Sequence, residues 1–148
     1  MTDYASNIAN AHPLANNVVA SGQPSAAQLK KASADGVRTV INLRPAGEFD
    51  EFDEAALIAD TGMHYVHIPV AGPEDINDAS ARTLDAALAE DQRPAIVHCG
   101  SSNRVGGLMA YRARYLQGKN ADEALQVGLD AGLNPESPLF AAIQKKLD

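Results

Sequence analysis

His98-Cys99-Gly100-Ser101-Ser102-Asn103-Arg104 sets the chain's single cysteine five positions ahead of an arginine, with small and polar residues between them. A cysteine thiolate is a nucleophile, and a guanidinium is a planar fork that binds a tetrahedral oxyanion in bidentate fashion. Together they suit attack on an anionic centre such as a phosphoryl group. A lone cysteine is otherwise a small buried hydrophobe. The combination with His98, the loop and Arg104 is what points to chemistry.

That chemistry needs a particular local structure. Ala95-Ile96-Val97 is a short apolar run and predicts a buried strand ending at Cys99, while Val105, Leu108, Met109, Arg112 and Leu116 recur at helical spacing after the loop. Cys99 is therefore expected at a strand-to-helix turn. There, unpaired backbone N–H groups and the positive end of the helix dipole favour an anion and an ionised thiol. Gly100, Ser101, Ser102, Asn103, Arg104 and Val105 are the candidate phosphate-binding positions. The adjacent glycines Gly106 and Gly107 weaken a helix by about 1 kcal/mol each relative to alanine, so a close approach of the helix to its surroundings, or to a phosphate, is expected there.

Other elements must carry this turn. Val18-Val19-Ala20 predicts a short edge strand. Ser25 caps a helix over 26–34 with Leu29 in the core, and residues 37–43, β-branched and apolar, predict a strand covered on both faces. Arg44 and Asn42 lie at the C-terminal end of that strand, where ligands gather in open α/β sheets, so both are expected to approach the pocket of Cys99. An acidic-fronted helix is predicted over 48–60, anchored by Phe49, Phe52, Leu57 and Ile58, and a further strand over 63–70. His64 and His67 on that strand are expected to be packed or satisfied by backbone, since no second cluster has metal-ligand spacing. Asp78 is expected to cap a helix over 79–90, Asn120 and Glu123 to form a capping box, and Ser137-Pro138 to open a last helix ending near Leu147. The alternation predicts an α/β fold, a small and mostly parallel sheet with helices on both faces. One domain over 1–148 is expected, with 1–17 as an irregular lead-in.

Composition narrows the function. Hydrophobic content of 45%, without a run long enough to span a membrane, and a net charge of −7 argue against nucleic-acid and membrane surfaces. A local positive site in such a chain suits a small anionic or phosphorylated substrate. Five per cent aromatic residues and no tryptophan give little basis for a protein interface. Residues 1–17 lack the charged and apolar regions of a signal peptide, and a working thiolate needs a reducing compartment, so the cytoplasm is the expected location. No metal or cofactor is called for.

His98-Cys99…Arg104 resembles the signature of cysteine-dependent phosphatases of the dual-specificity type. The resemblance continues through Ser21-Gly22-Gln23-Pro24-Ser25, Gly36-Val37-Arg38-Thr39-Val40-Ile41-Asn42-Leu43-Arg44 and Tyr65-Val66-His67-Ile68-Pro69-Val70, and is strongest to bacterial phosphatase-like domains also found fused to β-lactamase-fold hydrolases. It implies that Cys99 forms a phosphocysteine, that Arg104 and the loop amides hold the phosphoryl oxygens, and that His98 orients the cysteine with Arg44 in support. It also implies a carboxylic acid that protonates the leaving oxygen. The position where that aspartate often falls is Gly72 here, leaving Asp75 as the candidate with Glu74 and Asp78 as rivals. The loop 100–103 is one residue shorter than the usual phosphatase loop, and the Ser/Thr that usually follows the arginine is Val105. Rhodanese-type sulfurtransferases often have this shorter loop, so persulfide transfer on Cys99 is the alternative enzyme reading, and an oxyanion-binding domain with weak turnover is a third.

Overall fold

β-branched runs that are apolar on both faces belong in the middle of a parallel sheet, and the strand ending at Cys99 takes the central place. The structure, a computed structural model, describes residues 3–5 and 7–148. Among these, five strands lie in the order β1-β2-β5-β3-β4: β1 (His12–Leu14), β2 (Val18–Ser21), β3 (Thr39–Asn42), β4 (His64–His67) and β5 (Ala95–His98). The last four run parallel, and β1 pairs antiparallel with β2 at one edge. Six α-helices connect and follow them: α1 (Ala26–Ala34), α2 (Glu54–Thr61), α3 (Asp78–Ala87), α4 (Asn103–Tyr115), α5 (Ala121–Asp130) and α6 (Pro138–Leu147).

The period-two alternation of strands sorts the core into two layers. Val19, Val40 and Ile96 pack with Leu29, Ala32 and Ile58 of α1 and α2, while Ala20, Ile41 and Val97 pack with Leu84, Leu108 and Ile143 from α3, α4 and α6. The register sets Ser21 and Asn42 on either side of His98, so all four parallel strands end together. The loops at 22–25, 43–53, 68–77 and 99–102 consequently emerge at one end of the sheet.

Residues 1–17 are not an irregular lead-in throughout. His12–Leu14 is a strand, and Tyr4, Ala5 and Ile8 are buried on the α1/α2 face; Met1, Thr2 and Ser6 lie outside the described residues. The turn that returns β1 to β2 uses Asn16 and Asn17 at φ 65° and 62°, a left-handed conformation asparagine tolerates. The helix expected over 48–60 begins only at Glu54, capped by the Asp53 carboxylate, which accepts from the Ala56 N–H at 3.1 Å. Residues 44–53 form a loop in which the Glu48 carbonyl accepts from Arg44 Nη2 at 3.0 Å. The cap of α3 is Asn77, not Asp78, which is the first helical residue. Capping boxes form at Ser25/Gln28 and Asn120/Glu123. Among the described residues no helix is long and apolar enough to cross a membrane.

The glycine pair after Arg104 has a packing reason. A Cβ on Gly106 would lie 2.3 Å from the Leu133 nitrogen and 2.6 Å from the Gly128 carbonyl, both backbone, and one on Gly107 would press on Ile76 and Ile143. This lets α4 lie close against α5 and its exit. Gly106→Ala is therefore expected to destabilise the fold by about 1–3 kcal/mol through overpacking. A urea denaturation midpoint equal to that of the wild type would contradict the close approach.

Candidate functional site

Cys99 leaves β5 fully buried, its N–H donating to the Ser21 carbonyl at 3.2 Å. Gln23 N–H meets the Gly100 carbonyl at 3.4 Å, and a Cβ on Gly22 would lie only 2.8 Å from that same oxygen. The Ser21-Gly22-Gln23 turn thus lies directly against the cysteine loop. The loop closes into α4 through Ser102, whose φ of 73° is left-handed. A non-glycine residue holds this conformation only when its surroundings fix it. Here the Ser102 hydroxyl donates to the Ala131 carbonyl at 2.7 Å, and a Cβ on Gly132 would sit 2.7 Å from the serine side chain. A left-handed residue gives this short loop its tight turn.

The candidate phosphate-binding residues divide accordingly. Ser102 has its hydroxyl committed to Ala131, and Asn103 Oδ1 accepts from the Asn134 N–H at 2.7 Å and the Ser137 hydroxyl at 3.4 Å, so both side chains tie down the segment before α6. Ser101 keeps an exposed side chain. Among the described residues, the backbone N–H groups of Gly100, Ser101, Asn103, Arg104 and Val105 have no protein acceptor, and the first intrahelical bond of α4 comes from Gly106 to Ser102. These are the orphan donors of a helix N-terminus, extended into the loop before it.

Arg104 is held by one edge. Nη1 donates to Glu48 Oε1 at 2.9 Å and to the Val70 carbonyl at 3.0 Å, and Nη2 donates to Glu48 Oε2 at 2.7 Å. Of its five N–H bonds, three are engaged, leaving Nε–H and one Nη2–H along the side of the guanidinium. Nη2 lies 3.3 Å from where a Gly100 Cβ would stand, which sets the group over the turn after Cys99. The bond from Glu48, countered by burial and aided by the neighbouring Cys99, raises the Arg104 pKa.

Arg44 reaches the same carboxylate from the other side, Nε donating to Glu48 Oε2 at 2.8 Å. His98, wholly buried, directs Nε2 at Glu54 Oε2 at 2.6 Å, and Gln23 Nε2 donates to Glu54 Oε1 at 2.8 Å. Asn42 does not turn to Cys99; its Nδ2 donates to the Tyr65 hydroxyl at 3.0 Å and its Oδ1 accepts from the Arg44 N–H. His64 and His67 are occupied by Gln92 Oε1 and the Arg44 carbonyl.

The candidate acids sit apart. Asp75 ends a short 3-10 turn (Pro73–Asp75), and its Oδ2 accepts from the Ala71 N–H at 2.9 Å. That turn borders a cavity of about 300 Å³ lined by Ala71, Gly72, Pro73, Asn103, Arg104 and Pro138. Glu74 is exposed. Asp78 is bound elsewhere, accepting from the Tyr111 hydroxyl at 2.8 Å; burial first, then this bond and the charge of Asp78, push the Tyr111 pKa up to about 12. Glu48, Glu54 and Gln23 were not singled out from the sequence. Glu48 had a signal, standing four residues after Arg44; Glu54 had none, since 44 residues separate it from His98.

A buried cysteine at a strand-to-helix turn, unpaired loop amides and an arginine presented side-on define a phosphatase-like domain of the cysteine-based type. The chain belongs to the family of the phosphatase-like domain of beta-lactamase hydrolase-like proteins, whose model matches residues 11–113. The Beta-lactamase hydrolase-like protein of Agrobacterium fabrum (strain C58) is 36% identical over 87 residues, covering 56% of this chain and 20% of that protein. The chain thus spans about a fifth of the length of the curated relatives it matches. The crystal structure of the DUF442 protein of Shewanella putrefaciens CN-32 superposes with a TM-score of 0.75 at 25% identity, covering 99% of this chain and 96% of that one. The core catalytic domain of the PP-IP phosphatase SIW14 from S. cerevisiae shares the fold, with a TM-score of 0.67 at 15% identity over 95% and 86% of the two chains.

The bond from Arg104 lowers the Glu48 pKa to about 2, against partial burial and with further help from Arg44 and both positive charges. A carboxyl held below its ordinary value stabilises the fold above the unfolded pKa of about 4.3 and loses that contribution as the pH falls toward the folded value. Glu48→Gln is expected to flatten the decline of Tm between about pH 4.5 and pH 2, roughly the interval between those two values. An unchanged slope would mean that the arginines do not hold this carboxylate in solution.

Proposed function

We propose that the protein is a cysteine-dependent phosphatase that hydrolyses phosphate monoesters through a phosphocysteine. The observation that carries this reading is the presence around Cys99 of two unpaired side-on N–H bonds of Arg104 and unpaired loop amides, donors suited to equatorial phosphoryl oxygens. The Cys99 thiolate attacks phosphorus and the ester P–O bond breaks as the S–P bond forms. The leaving oxygen takes a proton from a carboxylic acid. Water then attacks phosphorus, the S–P bond breaks to return the thiolate, and the water's proton restores the acid. Asp75 is the acid in this reading, because its turn borders the Arg104 cavity while Asp78 is bound to Tyr111. His98 positions the cysteine. The phosphatase-like description of the family, and the phosphatase name of one structural neighbour, support the same class.

The four-residue loop favours sulfur transfer as the second reading. One experiment separates them: reduced wild-type protein and Cys99→Ser are assayed for phosphate release from aryl phosphates and for sulfur transfer from thiosulfate to cyanide. Phosphate release that is lost in Cys99→Ser, without sulfur transfer, is the expected result; sulfur transfer alone would overturn it, and silence in both would leave an oxyanion-binding domain. Asp75→Asn is expected to slow phenyl phosphate hydrolysis by about a hundredfold or more, and p-nitrophenyl phosphate, whose leaving group needs little protonation, much less. Equal losses on the two substrates would remove Asp75 from the acid role.

A further inference from the structure

The polar side chains beside the cysteine loop form one chain whose direction is fixed by donor chemistry. Arg44 has only donors, and its Nη1 donates to Gln23 Oε1 at 3.0 Å. The Gln23 amide must therefore turn its nitrogen the other way, where it donates to Glu54 Oε1. The second Glu54 oxygen faces His98 Nε2, so that nitrogen carries the proton, and Nδ1 is left without a partner among the described residues. In the opposite direction Arg44 Nε binds Glu48, and Glu48 binds Arg104 through both oxygens. An unbroken path of side chains runs from Arg104 to His98, the residues that bracket the loop bearing Cys99.

The pivot of this path is costly to keep. Glu54 is 6% exposed and His98 wholly buried, and a buried carboxylate with no partner carries a large desolvation penalty. Burial raises the Glu54 pKa; the bond and charge of His98, then Gln23 and Arg44, outweigh it and bring the pKa below the ordinary value. The acceptor-only carboxylate is also what orients both neighbours.

We propose that Gln23 and Glu54 are positioning residues of the oxyanion site, fixing its His98 end and its Arg44–Glu48–Arg104 end as one unit. This rests on the reading of the Cys99–Arg104 loop as an oxyanion cradle. Neither residue is assigned a contact with the anion. Their effect is on how well the donors are set before it arrives.

The test exchanges the two residues. In Gln23→Glu two carboxylates face each other; in Glu54→Gln the carboxylate charge that offsets Arg44 and fixes the His98 tautomer is lost, and the path closes only if His98 moves its proton to the unpartnered Nδ1. The double exchange Q23E/E54Q restores every contact of the path and gives up only the bond from Gln23 Nε2 to the Pro24 carbonyl: the carboxylate moved to position 23 would accept from Arg44 and from the amide moved to position 54, whose oxygen would accept from His98. Tungstate, a tetrahedral oxyanion, is titrated calorimetrically into the reduced wild-type protein and each variant, with Tm measured alongside. Each single variant is expected to lose about tenfold or more in affinity, and the exchange to return to within about threefold of wild type. Where a single variant does not fold, Gln23→Ala, at a half-buried position, breaks the same path without introducing a charge and is expected to show the same loss. Variants that melt lower yet bind tungstate as wild type does would overturn the proposal, as would an exchange that recovers nothing. Failure of the wild-type protein itself to bind tungstate would overturn the cradle reading instead.

Discussion

An oxyanion site must keep hydrogen-bond donors unpaired in the free protein, and every unpaired donor near an interior is unfavourable. Around Cys99 the molecule meets this constraint by dividing each donor group between two tasks. Arg104 gives one edge to Glu48 and Val70 and keeps the side edge open. The amides of the loop and of the first turn of α4 stay open because a helix start has no intrahelical acceptors for them. Glu48 compensates the guanidinium charge without covering its side edge, and so holds Arg104 in a defined geometry with two donors open.

Backbone geometry makes the same site possible. The loop is short, and it turns by placing Ser102 in a left-handed conformation that Gly132 accommodates by having no side chain. Gly22 lets the loop after β2 approach the Gly100 carbonyl, and Gly106 lets α4 approach α5. Three glycines far apart in sequence therefore serve one turn. Replacing the flexible residues around it with larger ones would move the loop before it touched the thiol.

Much of this was legible in the sequence, for physical reasons. β5 and α4 announce themselves through apolar periodicity, and the Cys99-to-Arg104 spacing is local, so the centre of the site follows from a few adjacent residues. The capping boxes at Ser25 and Asn120 are also local. Glu54 was hidden because its significance depends on β5 and the start of α2 meeting across the sheet end. Glu48 is hard to place from sequence because carboxylates ahead of an apolar pattern resemble a helix start, whereas its partners are Arg44 and the distant Arg104. β1 was missed because three residues, one of them Pro13, show no alternation, although Asn16-Asn17 is a recognisable turn. The proposed acid is the least legible residue of all: three carboxylates share one loop, and their directions are set by partners as distant as Tyr111.

The side chains of Ser102 and Asn103 face away from the open donors, toward Ala131, Asn134 and Ser137. The stretch recognised as common to the family ends at residue 113, before any of these partners. The shared pattern and the mechanical unit are therefore different objects. The matched stretch takes in the strand, the cysteine's turn and most of the helix after it; what clamps that turn is a buttress supplied by the segments around α5 and α6. A transplant of the recognisable segment into another scaffold would carry the reactive group and leave its foundation behind.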